Sequence, residues 1–191
     1  MLTVAYLFLI PLIRGISNLD NIHSAFVLGQ SVALIGAILL IPITKQELET
    51  SVKEIIYTKA WSYIKSIGIR FLCSFLIITI VITAFAIIMR CNNCIFPLER
   101  YVSITIFYAI FLGLLGLVLS QAGNNVIIGY LSALGYWSFC QIEIINESSI
   151  AYMFPIINGT VEIQKLITLF LMVIFLLGVY LVLINYSIRR V

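Results

Sequence analysis

The sequence predicts an all-α, polytopic integral membrane protein with six transmembrane helices. Of its 191 residues, 62% are hydrophobic and only 10% are charged. Its mean hydropathy of +1.15 is far above the range of soluble globular domains. The apolar residues fall into long uncharged segments, close to the roughly 20 residues that a helix needs to cross a bilayer core about 30 Å thick. These observations predict a multi-pass protein of the cell membrane without a separate soluble domain.

Six uncharged segments are the candidate transmembrane helices of this single domain, residues 1–191. None of the six contains Asp, Glu, Lys or Arg. The first segment is short, and no basic residues precede it as they would in a signal peptide, so we interpret it as a first span. The candidate spans are residues 2–13, 24–43, 71–89, 102–120, 126–140 and 166–186.

A charged segment, residues 45–70, separates the second and third predicted spans. Within it, Leu48, Val52, Ile55 and Ile56 recur at helical spacing and form one apolar stripe. The charged side chains fall largely outside this stripe. The pattern predicts a cytoplasmic amphipathic helix that lies on the membrane face or against a partner protein.

The distribution of basic residues predicts the orientation in the membrane. If all six segments cross and both termini are cytoplasmic, seven basic residues lie inside and four outside, in agreement with the positive-inside rule. The cytoplasmic set is Lys45, Lys53, Lys59, Lys65, Arg70, Arg189 and Arg190, and the outside set is Arg14, Arg90, Arg100 and Lys165. The positive net charge therefore reflects membrane orientation and does not indicate nucleic-acid binding.

Small residues recur every fourth position in two spans, Gly29 with Ala33 and Gly129 with Ala133. Such residues allow transmembrane helices to approach closely. They indicate packing either within the chain or against a second copy. Gln30, the most polar side chain in any span, either lines a substrate path or hydrogen-bonds a neighbouring helix.

Cys91 and Cys94 lie in the predicted outside loop, residues 90–100. A local disulfide is possible in an oxidising compartment, and ordinary free thiols are the alternative. A zinc site needs about four ligands, and this loop contains no His. We therefore predict no metal site.

An apolar run, residues 150–157, precedes the last span but is too short to cross a membrane. Pro155 and the pair Asn158-Gly159 interrupt it and are typical of turns. The pattern predicts a re-entrant or interfacial helix followed by a turn.

The residue types that are missing exclude several mechanisms. Ion-coupled transporters usually carry an ionisable side chain within a span, and these spans have none. The chain has a single His and no Gly-Lys pair, so the Walker A loop that binds ATP phosphates is absent. We expect no cofactor on this chain and no enzymatic activity.

The end of the amphipathic segment and the start of the third span resemble ABC transporter permeases of the type-2 exporter class. In that family a Glu-bearing cytoplasmic helix leads into a Lys-Pro-x-Ser-like turn and then into the third span. Glu49 or Glu54 matches the acidic position, and Lys59 and Ser62 match the turn. Ala60 replaces the proline of the family pattern.

The resemblance implies that residues 45–57 form a coupling helix that docks into a separate ABC ATP-binding subunit. ATP and Mg²⁺ would bind to that subunit, and a second or homologous permease would complete the transporter within the lipid. The implied contact residues are Glu47, Leu48, Glu49, Val52, Lys53, Glu54, Ile55, Ile56, Tyr57 and Lys59.

The leading functional hypothesis is therefore the permease subunit of an ATP-driven exporter. Its apolar, aromatic-rich spans suit an amphipathic cargo such as a peptide, a lipid or a lipophilic drug. One alternative is the substrate-binding membrane subunit of a vitamin importer, which requires a deep polar pocket at the outer face. Another is an integral membrane enzyme or immunity protein.

The charge asymmetry predicts opposite accessibility for cysteines introduced at Ser51 and Ser148. With an impermeant thiol reagent, Ser51→Cys should react only from the cytoplasm and Ser148→Cys only from outside, because the basic segment stays inside. The unsubstituted chain provides the background from native cysteines. Reversed accessibility would overturn the topology and the coupling-helix assignment.

Overall fold

A computed structural model describes most of the chain and is almost entirely helical. It describes residues 2–44, 60–142, 144–145, 149, 152, 154, 156–157 and 160–189. The helices are α1 (Leu2–Arg14), α2 (Asn21–Ile43), α3 (Ala60–Cys91), α4 (Leu98–Ala122), α5 (Val126–Gln141) and α6 (Ile163–Arg189). Among these described residues the only strands are β1 (Ile156–Ile157) and β2 (Thr160–Val161).

Four helices, α2, α3, α4 and α6, are long and apolar enough to cross a membrane. The prediction of an α-helical, multi-pass membrane protein is thereby confirmed at this level. The first and fifth predicted spans are shorter helices of 13 and 16 residues. At 1.5 Å per residue they are about 20 and 24 Å long, less than the roughly 30 Å of the hydrocarbon core.

The connections after α1, α3 and α5 lie at the same end of the bundle, since the first two are hydrogen-bonded to each other and the start of α2 contacts β1. The amide of Asn18 donates to the carbonyl of Asn92 over 3.0 Å, and the amide of Ile95 donates to that of Leu19 over 3.1 Å. The connections after α1, α3 and α5 thus share this end, which we call the loop end. The turn from α4 to α5 lies at the opposite end, where the side chain of Asn125 accepts from the amide of Ile127 and caps α5.

The core of the bundle is formed by α2 and α4. Of their most apolar stretches, 78% and 72% is buried, against 22% for α3 and for α6. α4 packs against α2, α3, α5 and α6. The two central helices are therefore largely enclosed by the chain, whereas α3 and α6 leave most of their apolar surface available to lipid or a partner.

Close approach at glycines holds these central helices together. A Cβ atom on Gly36 would collide with the backbone of Ala109, and one on Gly113 would lie 2.6 Å from the carbonyl oxygen of Gly36. A Cβ atom on Gly129 would likewise meet the carbonyl of Gly116. Backbone therefore contacts backbone from α2 to α4 and from α4 to α5, which is the role of small residues in membrane helix packing.

The continuous helix α3 corrects the predicted boundary after the charged segment. Residues 60–70, assigned to a coupling segment and turn, are the first part of α3, so Ser62 lies within a helix and not in a turn. Residues 45–59, which include the predicted amphipathic helix and Lys59, lie outside the described residues.

A hairpin replaces the expected helix in the part of residues 150–157 that the structure describes. Ile156 pairs with Val161, and Ile157 pairs with Thr160, in antiparallel register. The sequence between these pairs is Asn158-Gly159, which is a strong signal for a two-residue hairpin loop. Ile156 and Ile157 are therefore strand residues, although the apolar run to which they belong favoured a helix.

Replacement of Gly36 tests the contact between α2 and α4. Gly36→Ala should lower the free energy of unfolding by about 1–3 kcal/mol, because overpacking forces the backbone of one helix to shift. The measurement is the midpoint of unfolding in detergent micelles. The matched control is Gly135→Ala, since a Cβ atom there meets nothing within 4 Å. Equal midpoints for the two variants would show that the central helices are not in backbone contact.

Candidate functional site

The predicted ATPase-contact residues lie in the part of the chain outside the described residues. All ten fall between positions 47 and 59. The described helix α3 begins at Ala60, directly after them, and its early residues Lys65 and Arg70 are exposed. The structure thus provides the helix to which this segment is attached.

An irregular stretch of α2 places Gly29 and Gln30 near the middle of the bundle. Residues Val27–Ser31 form a π-type turn, and Val32–Leu34 a 3₁₀ turn, before the α-helix resumes. A π-type turn inserts an extra residue into the helical ladder and often occurs at a functional site, whereas a 3₁₀ turn winds the helix more tightly. The sequence contains no proline or other signal at this break.

Both short helices attach to the irregular stretch through its carbonyl oxygens. The indole Nε1 of Trp137 on α5 donates to the carbonyl of Gln30 over 2.8 Å. The hydroxyl of Tyr6 on α1 donates to the carbonyl of Ser31, also over 2.8 Å. We expected the side chain of Gln30 to form a hydrogen bond with a neighbouring helix. The bond is instead accepted by the backbone carbonyl of Gln30.

A small void lies beside Gly29 and Gln30, between α2, α4 and β1. Its volume is about 10 Å³, which is close to the space of a single water molecule. Thr105, Tyr108 and Phe154 also line it. Gly29 and Gln30, which were predicted to line a substrate path, therefore border a cavity. This cavity is far too small for an amphipathic substrate.

The other residues of the predicted packing set are placed within the core. Ala33 on α2 and Ala133 on α5 are fully buried, and Gly129 contacts Gly116 on α4. These three contribute to contacts within the chain and are separated from the void.

An aromatic cluster occupies the core towards the loop end. The ring of Tyr108 on α4 lies 4.8 Å from that of Phe154 and 6.1 Å from that of Phe111, between centroids. Phe154 contacts Tyr152 at 5.3 Å, and Phe111 contacts Tyr136 at 5.5 Å. Contacts of this kind add about 0.5–1.5 kcal/mol beyond burial. The cluster fastens the segment before α6 onto the central helix.

The cationic side chain of Lys165 is buried beside this aromatic cluster at the loop end. Lys165 is 7% exposed, and its Nζ lies 3.1 Å from Oε2 of Glu162 and 5.0 Å from the ring centre of Tyr152. A buried charge is costly unless it is paired, and both the carboxylate and the ring stabilise it. Lys165, predicted only as an outside charge, thus holds the aromatic segment in place.

A wider cleft of about 560 Å³ opens at the loop end near the two cysteines. Asn21, Arg90 and Asn93 are its polar lining residues. Cys91 and Cys94 are free thiols, not a disulfide. Cys94 is buried, and its Sγ donates to the carbonyl of Ile16 over 3.2 Å, which ties the α1–α2 and α3–α4 connections together.

The described residues offer no group of three or more His, Cys, Asp or Glu that could hold a metal ion. Of the buried polar side chains, Thr105 and Ser120 donate to carbonyls of their own helix. Sequence reasoning missed Gly36, Trp137 and the Tyr108 cluster, because an aromatic or small residue in an apolar span looks the same whether it faces lipid or protein.

Comparisons with protein-family models, curated proteins and solved structures find no match. The resemblance to type-2 ABC permeases therefore depends on the sequence alone, chiefly on the motif in residues 49–70.

The environments of Cys91 and Cys94 predict different reactivity. In membranes carrying the full chain, an impermeant maleimide should label Cys91, which is exposed, and spare the buried Cys94 until the protein is denatured. Mass spectrometry of the loop peptide distinguishes the two sites, and Cys91→Ser is the control. A native peptide two protons lighter would instead reveal a disulfide.

Proposed function

We propose that this chain is the membrane-spanning permease subunit of an ATP-driven ABC exporter, acting with a separate ATPase subunit. The observation that carries the proposal is the length of α3, which has 32 residues. At 1.5 Å per residue it is about 48 Å long, roughly 18 Å more than the hydrocarbon core requires. The apolar stretch of α3 begins at Lys65, so the helix extends beyond it by residues 60–64, at the end where the amphipathic segment is attached.

A long, continuous helix is a suitable device for transmitting movement. A helix that begins outside the bilayer and continues through it moves as one rigid element, so a displacement at its first turns reaches the core. Residues 45–59 supply an apolar stripe for docking and charges that fix orientation. Under this proposal they form the coupling helix, and both chain termini are cytoplasmic.

The small internal void supports a transport path between two permeases. The void beside Gly29 and Gln30 holds only about 10 Å³, and the predicted spans carry no charged residue that an ion-coupled carrier would use. α3 and α6 expose most of their apolar surface. A second or homologous permease would pack there, with α1 and α5 completing six helices in each subunit. The cargo is amphipathic, such as a peptide, lipid or lipophilic drug.

Charge placed on the apolar stripe tests the proposal. Val52→Asp with Ile56→Asp should abolish copurification of the ATPase subunit and transport-coupled ATP hydrolysis. The reason is that unpaired buried charges cost about 3–5 kcal/mol. Membrane insertion should be unaffected, because both positions lie outside every span.

The matched control adds the same two charges away from the stripe, as Thr50→Asp with Thr58→Asp. This variant should retain the ATPase and its coupled activity. If the stripe variant copurifies with an ATPase and transports normally, residues 45–59 are only a membrane-surface loop and the exporter proposal fails.

A further inference from the structure

An apolar groove lies between α3 and α6 near the end opposite the loop end. Its volume is about 390 Å³, within the roughly 300–1,000 Å³ of small-ligand sites. α3 and α6 both pack on α4, and the groove separates them. Its lining includes Ile67, Gly68 and Phe71 on α3 and Tyr180, Ile184 and Asn185 on α6.

The groove has a closed floor and an open, lipid-facing rim. Ile67, Tyr180 and Ile184 are nearly fully buried, whereas Leu181 at the rim is 57% exposed. Gly68 leaves open space where a side chain would stand, since a Cβ atom there meets nothing within 4 Å. The glycine therefore contributes to the width of the groove and is not required for helix contact.

The position along the helices places the groove within one leaflet of the bilayer. The apolar stretch of α3 begins at Lys65, and that of α6 ends at Tyr186. The groove residues lie just inside these limits, so its mouth is close to the membrane surface.

Two cations stand at the same surface. Lys65 and Arg70 are exposed on α3, within one turn of the groove residues Ile67 and Phe71. Long basic side chains reach from the edge of the apolar layer to the head-group level. Basic pockets between membrane helices bind anionic head groups.

The size of the groove favours an acyl chain over a second protein helix. One helical turn, about 10 Å across and 5.4 Å long, occupies roughly 400 Å³, so the groove holds no more than a single turn. A flexible hydrocarbon chain fits along its floor. We propose that this groove binds one acyl chain of an anionic phospholipid, whose phosphate contacts Arg70 and Lys65. This site goes beyond the proposed exporter function and does not depend on it; a second permease would pack on the exposed faces of α3 and α6 outside the groove.

The test compares two lipids with identical acyl chains, phosphatidylglycerol and phosphatidylcholine. Native mass spectrometry of the purified full chain should show retained phosphatidylglycerol at a higher fraction. Arg70→Gln should lower this preference about fivefold, and its exposed position leaves the fold intact. Gly68→Leu fills the groove and should reduce binding of both lipids.

Matched controls separate the site from general lipid adhesion. Arg14→Gln removes an exposed cation at the loop end, and Gly135→Leu adds the same side chain at another open glycine. Neither should change lipid binding. Equal retention of both lipids in all variants would overturn the proposal. So would a change of oligomeric state in Gly68→Leu at unchanged lipid binding, because a second copy would then cover the groove. If Gly68→Leu does not fold, the phosphatidylglycerol preference of Arg70→Gln decides whether the proposal holds.

Discussion

The fold depends on how the backbone polar groups of α2 are satisfied away from water. A lost backbone hydrogen bond in the hydrocarbon region costs several kcal/mol, so any departure from the regular helix needs compensation. α2 departs from it over Val27–Leu34. The carbonyls of Gln30 and Ser31 in this stretch accept hydrogen bonds from Trp137 and Tyr6. The two shortest helices are thereby attached to the centre of the bundle at adjacent residues.

Close backbone contact then makes α2 and α4 a rigid centre. Gly36, Ala109 and Gly113 allow this approach, and the gain is dispersion contact that lipid cannot match at the same density. At the loop end, Phe154 and the paired Lys165 hold the preceding segment onto α4 through Tyr108. One end of the core is therefore sealed by aromatic packing.

The periphery has a different character. α3 and α6 are only 22% buried over their apolar stretches, and the groove between them reaches the membrane surface beside Lys65 and Arg70. A rigid centre with two exposed flanking helices is an arrangement in which lipid or a second permease can contact α3 directly. Both proposals concern this helix, one through its projecting first turns and the other through its groove.

The sequence by itself determined that the chain forms apolar membrane helices. In a bilayer the backbone must satisfy its own hydrogen bonds, so a long uncharged segment leaves little choice but a helix. The central parts of all four long helices were predicted in this way. A turn was also predicted at Asn158-Gly159, between the paired strands β1 and β2, whereas the helix predicted before it was wrong at Ile156 and Ile157.

Only the tertiary structure decided which helix faces meet. In water, an apolar stripe marks the buried face of a helix, but in lipid every face is apolar and the periodicity carries no such information. Gly29 and Gly36 look equivalent in the sequence, yet one borders a void and the other touches Ala109. The break in α2 and the Tyr108 cluster were hidden for the same reason: each involves contacts between segments far apart in the chain, which local composition does not show.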